Sequence, residues 1–251
     1  MDLIFIAPVI FFFIAFVFSM LGMGGSQLYI PILFWLGMDF KTQAIPLGLL
    51  LNIVNSSSAL ITYGRKKLVE WRVAIPFGLA MVLFAPLGAW LNISLSTKPI
   101  ILIFSIFTVF AAIMMLIGWK PKSFEFTNRR KTIFGISSGS VLGFISGLIG
   151  RGGGSFVVPL LYIFGLGVKN AAATSAFIIT CSATSSFISH IFTAAQPQWI
   201  IWILCVIAVI GGSQLGSRLM VAKLKSKNIK IIFGIVLLGI SAALIIQNFF
   251  T

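Results

Sequence analysis

Eight apolar runs of 18 to 23 residues, and two of 10 and 11, occupy most of this chain. The long runs are 3–21, 43–63, 73–93, 98–118, 132–149, 171–193, 199–217 and 230–249; the short ones are 28–37 and 156–166. A helix needs about 20 residues to cross a hydrocarbon core of about 30 Å. The short runs rise only about 15–17 Å as helix, roughly half that depth. The chain is 59% apolar and only 9% charged, whereas a soluble domain carries about 25% charged residues. It has too few charged groups to cover a water-facing surface. The expected class is an all-α integral membrane protein.

Eighteen Lys and Arg stand against four Asp and Glu, giving a formal charge of +14. Such a balance invites a nucleic-acid partner. The distribution argues against one. Fourteen of the cations lie in three short segments: 64–72 (Arg65, Lys66, Lys67, Arg72), 119–131 (Lys120, Lys122, Arg129, Arg130, Lys131) and 218–230 (Arg218, Lys223, Lys225, Lys227, Lys230). Cations crowded between spans mark the cytoplasmic side. The expectation is a multi-pass protein with these segments cytoplasmic, both termini outside, a lipid bilayer around it and no nucleic acid. Cys181 and Cys205 lie in apolar runs without metal-ligand spacing and read as small packing residues. Run 3–21 lacks the basic leader and cleavage site of a signal peptide, so it reads as the first membrane helix.

The two short runs are one arrangement used twice. Gly22-Met23-Gly24-Gly25-Ser26 matches Gly150-Arg151-Gly152-Gly153-Gly154 at an offset of 128. The offset continues without a gap through Pro31/Pro159, Gly37/Gly165, Lys41/Lys169, Ala44/Ala172, Ser57/Ser185, Ser58/Ser186, Trp71/Trp199 and Gly88/Gly216. Residues 1–128 and 129–251 are expected to be duplicated halves of one transport unit, each with four long helices and one short half-helix. Equivalent loops differ in charge. Loop 64–70 holds Arg65, Lys66 and Lys67, while 192–198 holds no charge. Loop 91–99 holds Lys98 alone, while 219–227 holds Lys223, Lys225 and Lys227. Equivalent loops therefore belong on opposite sides, and the halves are inverted about an axis in the membrane plane.

Glycine-rich backbone at membrane depth is tolerated where it is buried in protein or lines a wet cavity. A half-helix starting at such a break points free N–H groups and a partial positive charge into it, which favours an anion. The expected substrate site therefore gathers Gly22, Gly24, Gly25, Ser26 and Gln27 from the first break, and Gly150, Arg151, Gly152, Gly153, Gly154 and Ser155 from the second. The plainer reading makes these glycines a packing seam, but a seam needs no short helix after it. Arg151 replaces Met23 of the first motif. A cation at that depth needs a cavity or a partner, and the acids read as external (Asp2, Asp39) or cytoplasmic (Glu70, Glu125). An anionic substrate would supply the counter-ion; the alternative is that Arg151 snorkels to an interface.

The helices after the short runs are polar. Asn52, Asn55 and Ser56 are expected to face the site from the first, and Thr180 and Thr184 from the second. The competing role is interhelical hydrogen bonding. His190, the sole histidine, is a possible proton-coupling group or a passive interfacial one. Lys41 and Lys169 read as snorkelling or rim cations, and Trp71 and Trp199 as interfacial anchors. Nothing in the pattern points to a metal or cofactor.

The paired G-x-G-G motifs, each followed by a Pro-containing short helix and an Asn/Ser/Thr-rich helix, resemble the TauE/SafE sulfite exporter family (TSUP). The resemblance covers essentially the whole chain. It implies a multi-pass protein of the plasma (inner) membrane moving sulfite, sulfonates or other small organic or sulfur-containing anions. Ser26 departs from it, standing where a third glycine is common. The functional expectation is a secondary anion transporter working by alternating access, with a proton or sodium as coupling ion. Its alternatives are an anion channel and an intramembrane hydrolase pairing Ser26 or Ser155 with His190.

Overall fold

The computed structural model describes residues 2–92, 109, 112–113, 116–117, 128–149, 154–191 and 197–250. Every regular element among them is helical. The helices are α1 (Asp2–Leu21), α2 (Ser26–Trp35), α3 (Ile45–Arg65), α4 (Trp71–Asn92), α5 (Asn128–Ile149), α6 (Gly154–Ile163), α7 (Val168–Ile191), α8 (Trp199–Ala222) and α9 (Ser226–Phe250), with a π-helical turn at Phe40–Ala44 before α3. Among the described residues, four stretches are long and apolar enough to cross a bilayer: Phe40–Arg65, Trp71–Gly88, Val168–His190 and Trp199–Ala222. Run 98–118 and segment 119–131 fall mostly outside the described residues.

The two short runs are helices of 10 residues each, α2 and α6. They stop for the same reason. Gly37 and Gly165 take φ of +90° and +99°, a conformation that disfavours a side chain. Each closes a Schellman cap. Gly37 N–H donates to Phe34 O and Met38 N–H to Leu33 O; Gly165 N–H donates to Tyr162 O and Leu166 N–H to Leu161 O.

Small residues draw the long helices together. α5 lies against α4 through Gly135, Gly139 and Gly143; a Cβ on Gly139 would stand 2.5 Å from Phe77 O. α8 lies against α1 through Gly212 and Gly216, whose Cβ atoms would stand 2.2 Å from Phe12 O and 2.0 Å from Phe16 O. Glycine at these points allows the close backbone approach on which helix association in lipid depends. α3 and α7 pack together in the middle, with α8 on α3 and α4 on α7. A polar ladder joins α8 to α3: Ser213 Oγ donates to Asn55 O (2.8 Å) and Gln214 Nε2 to Ser58 O (2.8 Å).

The basic segments meet at one end of this bundle. Asn170 Nδ2, at the start of α7, donates to Leu68 O in the α3–α4 loop (3.1 Å). Lys169 Nζ donates to Val221 O at the end of α8 (3.2 Å). Lys131, at the start of α5, pairs with Glu70 at 3.3 Å. The bundle's flanks carry large exposed apolar side chains, among them Phe13, Leu83, Ile200 and Ile207, each more than 60% exposed. So many exposed apolar side chains suit lipid, not water.

Candidate functional site

The first break is a built structure inside the bundle. α1 ends in a third Schellman cap, with Gly22 N–H on Ser19 O and Met23 N–H on Phe18 O. Gly22 and Gly24 take φ of +66° and +76°. Both are also closely packed. A Cβ on Gly22 would stand 2.0 Å from Ala172 O of α7, and one on Gly24 2.0 Å from Asn52 Oδ1 of α3. The Ser175 hydroxyl of α7 donates to Gly22 O at 2.7 Å, and Tyr63 OH of α3 donates to Ser19 O. Ser175 is seven residues in from the basic end of α7, about 10 Å; Asn52 is thirteen residues in along α3, about 20 Å. The break is therefore interior, between helices of both sequence halves.

The sequence predicts free amides at the start of α2. The structure gives the first two to Asn52. Its Oδ1 accepts from Gly25 N–H (2.7 Å) and, more weakly, from Ser26 N–H (3.4 Å). A side chain from another helix thus does the work of an N-cap, neutralising orphan donors and part of the helix dipole. Asn55 Nδ2 donates to Gly24 O, so two amide side chains one turn apart clamp the break from α3. Ser26, Asn52, Asn55 and Ser56 are buried, while Gln27 is half-buried.

Across from them, the Thr180 hydroxyl lies 3.0 Å from Ser56 Oγ and 2.8 Å from Ala176 O of its own helix. Thr184 Oγ1 donates to Thr180 O (2.7 Å). The expected polar residues of α3 and α7 therefore meet, and much of their hydrogen bonding is internal. Gly150, Arg151, Gly152 and Gly153 lie outside the described residues. Gly154 and Ser155 open α6; their side chains are outside the description. His190 sits one residue from the end of α7, about 22 Å along the helix from Ser175 and about 16 Å from Ile179, the two α7 residues that touch the first break.

Sequence reading passed over Tyr29 and Ser182, and counted Ser175 only as one of the hydroxyls of α7. All three are buried: Tyr29 against Phe11, with ring centroids 5.1 Å apart, Ser175 on Gly22, and Ser182 farther along α7. Tyr29 carries a signal that was available, a polar aromatic one turn into a half-helix. Ser175 and Ser182 were hidden among other hydroxyls of α7.

At the far end, Asp39 accepts from Thr42 Oγ1 (2.7 Å) and Thr42 N–H (2.8 Å), capping the π-helical turn. Those two bonds, the hydroxyl's first, hold its carboxyl below the usual aspartate range.

A lipid-suited surface, bilayer-length helices and an interrupted helix inside the bundle define a multi-pass membrane protein of the transporter type. The family model described as Sulfite exporter TauE/SafE matches residues 7–244, and the chain belongs to that family. It is similar to the probable membrane transporter protein YunE of Bacillus subtilis (strain 168), 27% identical over 261 residues that cover 93% of this chain and 94% of that one. A probable membrane transporter protein of Methanocaldococcus jannaschii is 26% identical over 237 residues, covering 87% and 86%. A third, y4hK of Sinorhizobium fredii, is 29% identical over 216 residues, covering 83% and 86%. No solved structure gives a significant match. The protein is thus a multi-pass membrane transporter.

Proposed function

We propose that this transporter moves a small anion, such as sulfite or an organosulfonate, by alternating access between inverted halves 1–128 and 129–251. The observation that carries the reading is the first break: a helix interrupted inside the bundle and held by residues of both halves. Irregular backbone at that depth suits a substrate path.

Several features support the inverted arrangement. α2 and α6, and likewise α4 and α8, begin 128 residues apart. The pairings exchange when the halves are swapped. α1 with α8 maps onto α5 with α4, α3 with α8 onto α7 with α4, and α3 with α7 onto itself. Trp71 begins a helix at the basic end, whereas Trp199 begins one at the opposite end. The gathering of 66–70, 131, 169–170 and 221 at one end fits a cytoplasmic assignment for the basic segments, with the termini outside.

The anion's principal donors, in this reading, belong to the second break. Arg151 supplies the charge, with Gly150, Gly152 and Gly153 giving access and the α6 start at Gly154 and Ser155 supplying amides. At the first break the corresponding donors are taken by Asn52. The matching position on α7 is Thr180, which lies on Ala176 O and Ser56 Oγ. Cargo leaves by rocking one half against the other around this midplane site. The hydrolase alternative is disfavoured, since His190 is about 16 Å along α7 from Ile179, which packs on Gly24 of the first break.

The test is uptake into proteoliposomes, screening sulfite, sulfonates, thiosulfate and small carboxylates. Saturable uptake with counterflow is expected. Flux that never saturates would make the protein a channel, and no flux of any anion would end the reading. Cysteine labelling is expected to find 64–72 and 219–227 accessible from the same side.

A further inference from the structure

Three buried side-chain polar atoms lack a hydrogen-bond partner among the described residues: the Tyr29 hydroxyl, Asn55 Oδ1 and the Ser182 hydroxyl. Tyr29 and Asn55 are 0% exposed and Ser182 3%. Tyr29 and Asn55 border the first break, and Ser182 lies on α7 three residues beyond Ile179, which packs on Gly24. Asn55 Nδ2 on Gly24 O holds the carboxamide there and fixes its orientation, because only the nitrogen end has a proton for that carbonyl. Tyr29 folds back over Gly25, so that a Cβ on Gly25 would stand 2.7 Å from the hydroxyl oxygen. Ser182 extends the α7 stripe of Ser175 and Ile179, at i, i+4 and i+7. Ser175 bonds Gly22 O, and the Ile179 side chain stands 3.0 Å from a Cβ placed on Gly24.

Unpaired polar atoms in an apolar interior are destabilising, so two at one break, with a third on the helix that faces it, point to a ligand. Their chemistry says which kind. Asn55 Oδ1 can only accept, and an anion has nothing to donate to it. The two hydroxyls can also present lone pairs. The first amides of α2 already have Asn52, while α1 brings its C-terminal, negative dipole end to the same place. What the break still offers is a set of neutral oxygens beside a negative helix end. A hard cation fits that set. A monovalent one fits best, because divalent ions draw carboxylates and none of the described acids lies at the break. Unwound carbonyls and helix C-termini are sodium ligands in other inverted-repeat transporters.

We infer that the first break binds a sodium ion through Tyr29, Asn55 and Ser182, and that this ion is the coupling ion of transport. The coupling half rests on the anion-transporter reading; the binding half does not. Two measurements separate them. In the first, purified full-length protein is melted in sodium chloride and in choline chloride at equal ionic strength. Sodium is expected to raise the melting temperature, and Tyr29→Phe and Ser182→Ala, which remove only hydroxyls, are expected to raise the sodium midpoint about tenfold. Equal melting in the two salts, or wild-type midpoints in both variants, would overturn the site. A structural water at these atoms would give that result. In the second, proteoliposomes take up radiolabelled sulfite under an imposed sodium gradient with the proton gradient collapsed. Sodium-driven accumulation supports coupling. Sulfite uptake indifferent to sodium overturns the coupling while the anion reading stands. Sodium-dependent melting without uptake of sulfite or any other anion would instead remove the anion reading and leave the sodium site.

Discussion

The two glycine breaks start from nearly the same sequence and diverge in the residues that surround them. At the first, α3 contributes Asn52 and Asn55, which clamp Gly24, Gly25 and Ser26. At the matching positions of α7 stand Thr180 and Ala183, and Thr180 bonds its own helix and Ser56. The first motif carries Met23 where the second carries Arg151. In the proposed reading, a few substitutions between matching segments are enough to separate the roles. One break has its anion-attracting donors satisfied internally, and the other gains a cation. The lesson is that equal motifs do not make equal half-sites; the facing helix decides which groups of the break remain available.

The substitution with the largest expected effect is Gly24→Leu. It combines a disfavoured φ, costing about 1–3 kcal/mol, with a clash against Asn52 Oδ1 that adds overpacking of about 1–3 kcal/mol. Transport should vanish and the melting temperature fall; Gly153→Leu should also abolish transport. Normal flux in both variants would break the idea that either motif lines the path.

Arg151→Ala and Asn52→Ala should separate the breaks more sharply. Arg151→Ala should raise the apparent KM for the anion, about tenfold or more if one charge-assisted contact is lost, with insertion intact. Asn52→Ala should instead lower stability by about 1–3 kcal/mol, because it strips the buried amides of their acceptor. Kinetics and denaturation read on both variants would reverse the assignment if the two phenotypes came out exchanged.

Thr180→Val removes the bond to Ser56 between the halves and should cost about 1 kcal/mol. A much larger loss of uptake than of stability would place Thr180 in the substrate path. Lys131→Gln, at the basic end, is the small-effect control. Its pair with Glu70 is about a third exposed on each side, so a change of about 0–1 kcal/mol is expected in melting, with uptake unchanged.

Much of this architecture was legible in the sequence. Apolar run lengths gave the class and the two half-length helices, and the 128-residue offset relates the starts of α2 and α6. The shared Schellman caps at Gly37 and Gly165 fall on the same offset. Asn52, Ser56 and Thr180 were legible as neighbours of the site but not in their roles. Whether Asn52 faces a substrate or caps α2 depends on where its carboxamide lies, and spacing along one helix does not fix that. Tyr29 and Ser182 were missed because a lone hydroxyl in an apolar run looks like any other until its neighbours are known.

The sequence by itself determined that this chain must live in lipid, that it repeats, and where its helices break, because hydropathy, glycine and charge act locally along the chain. Only the tertiary structure decided that Asn52 reaches across to α2, that Ser175 holds Gly22 from the other half, and that the Tyr29 hydroxyl, Asn55 Oδ1 and the Ser182 hydroxyl have no hydrogen-bond partner among the described residues. Those outcomes depend on which side chains meet across helix interfaces, and hydrogen bonding between residues 27 or 153 positions apart is not written in any local pattern.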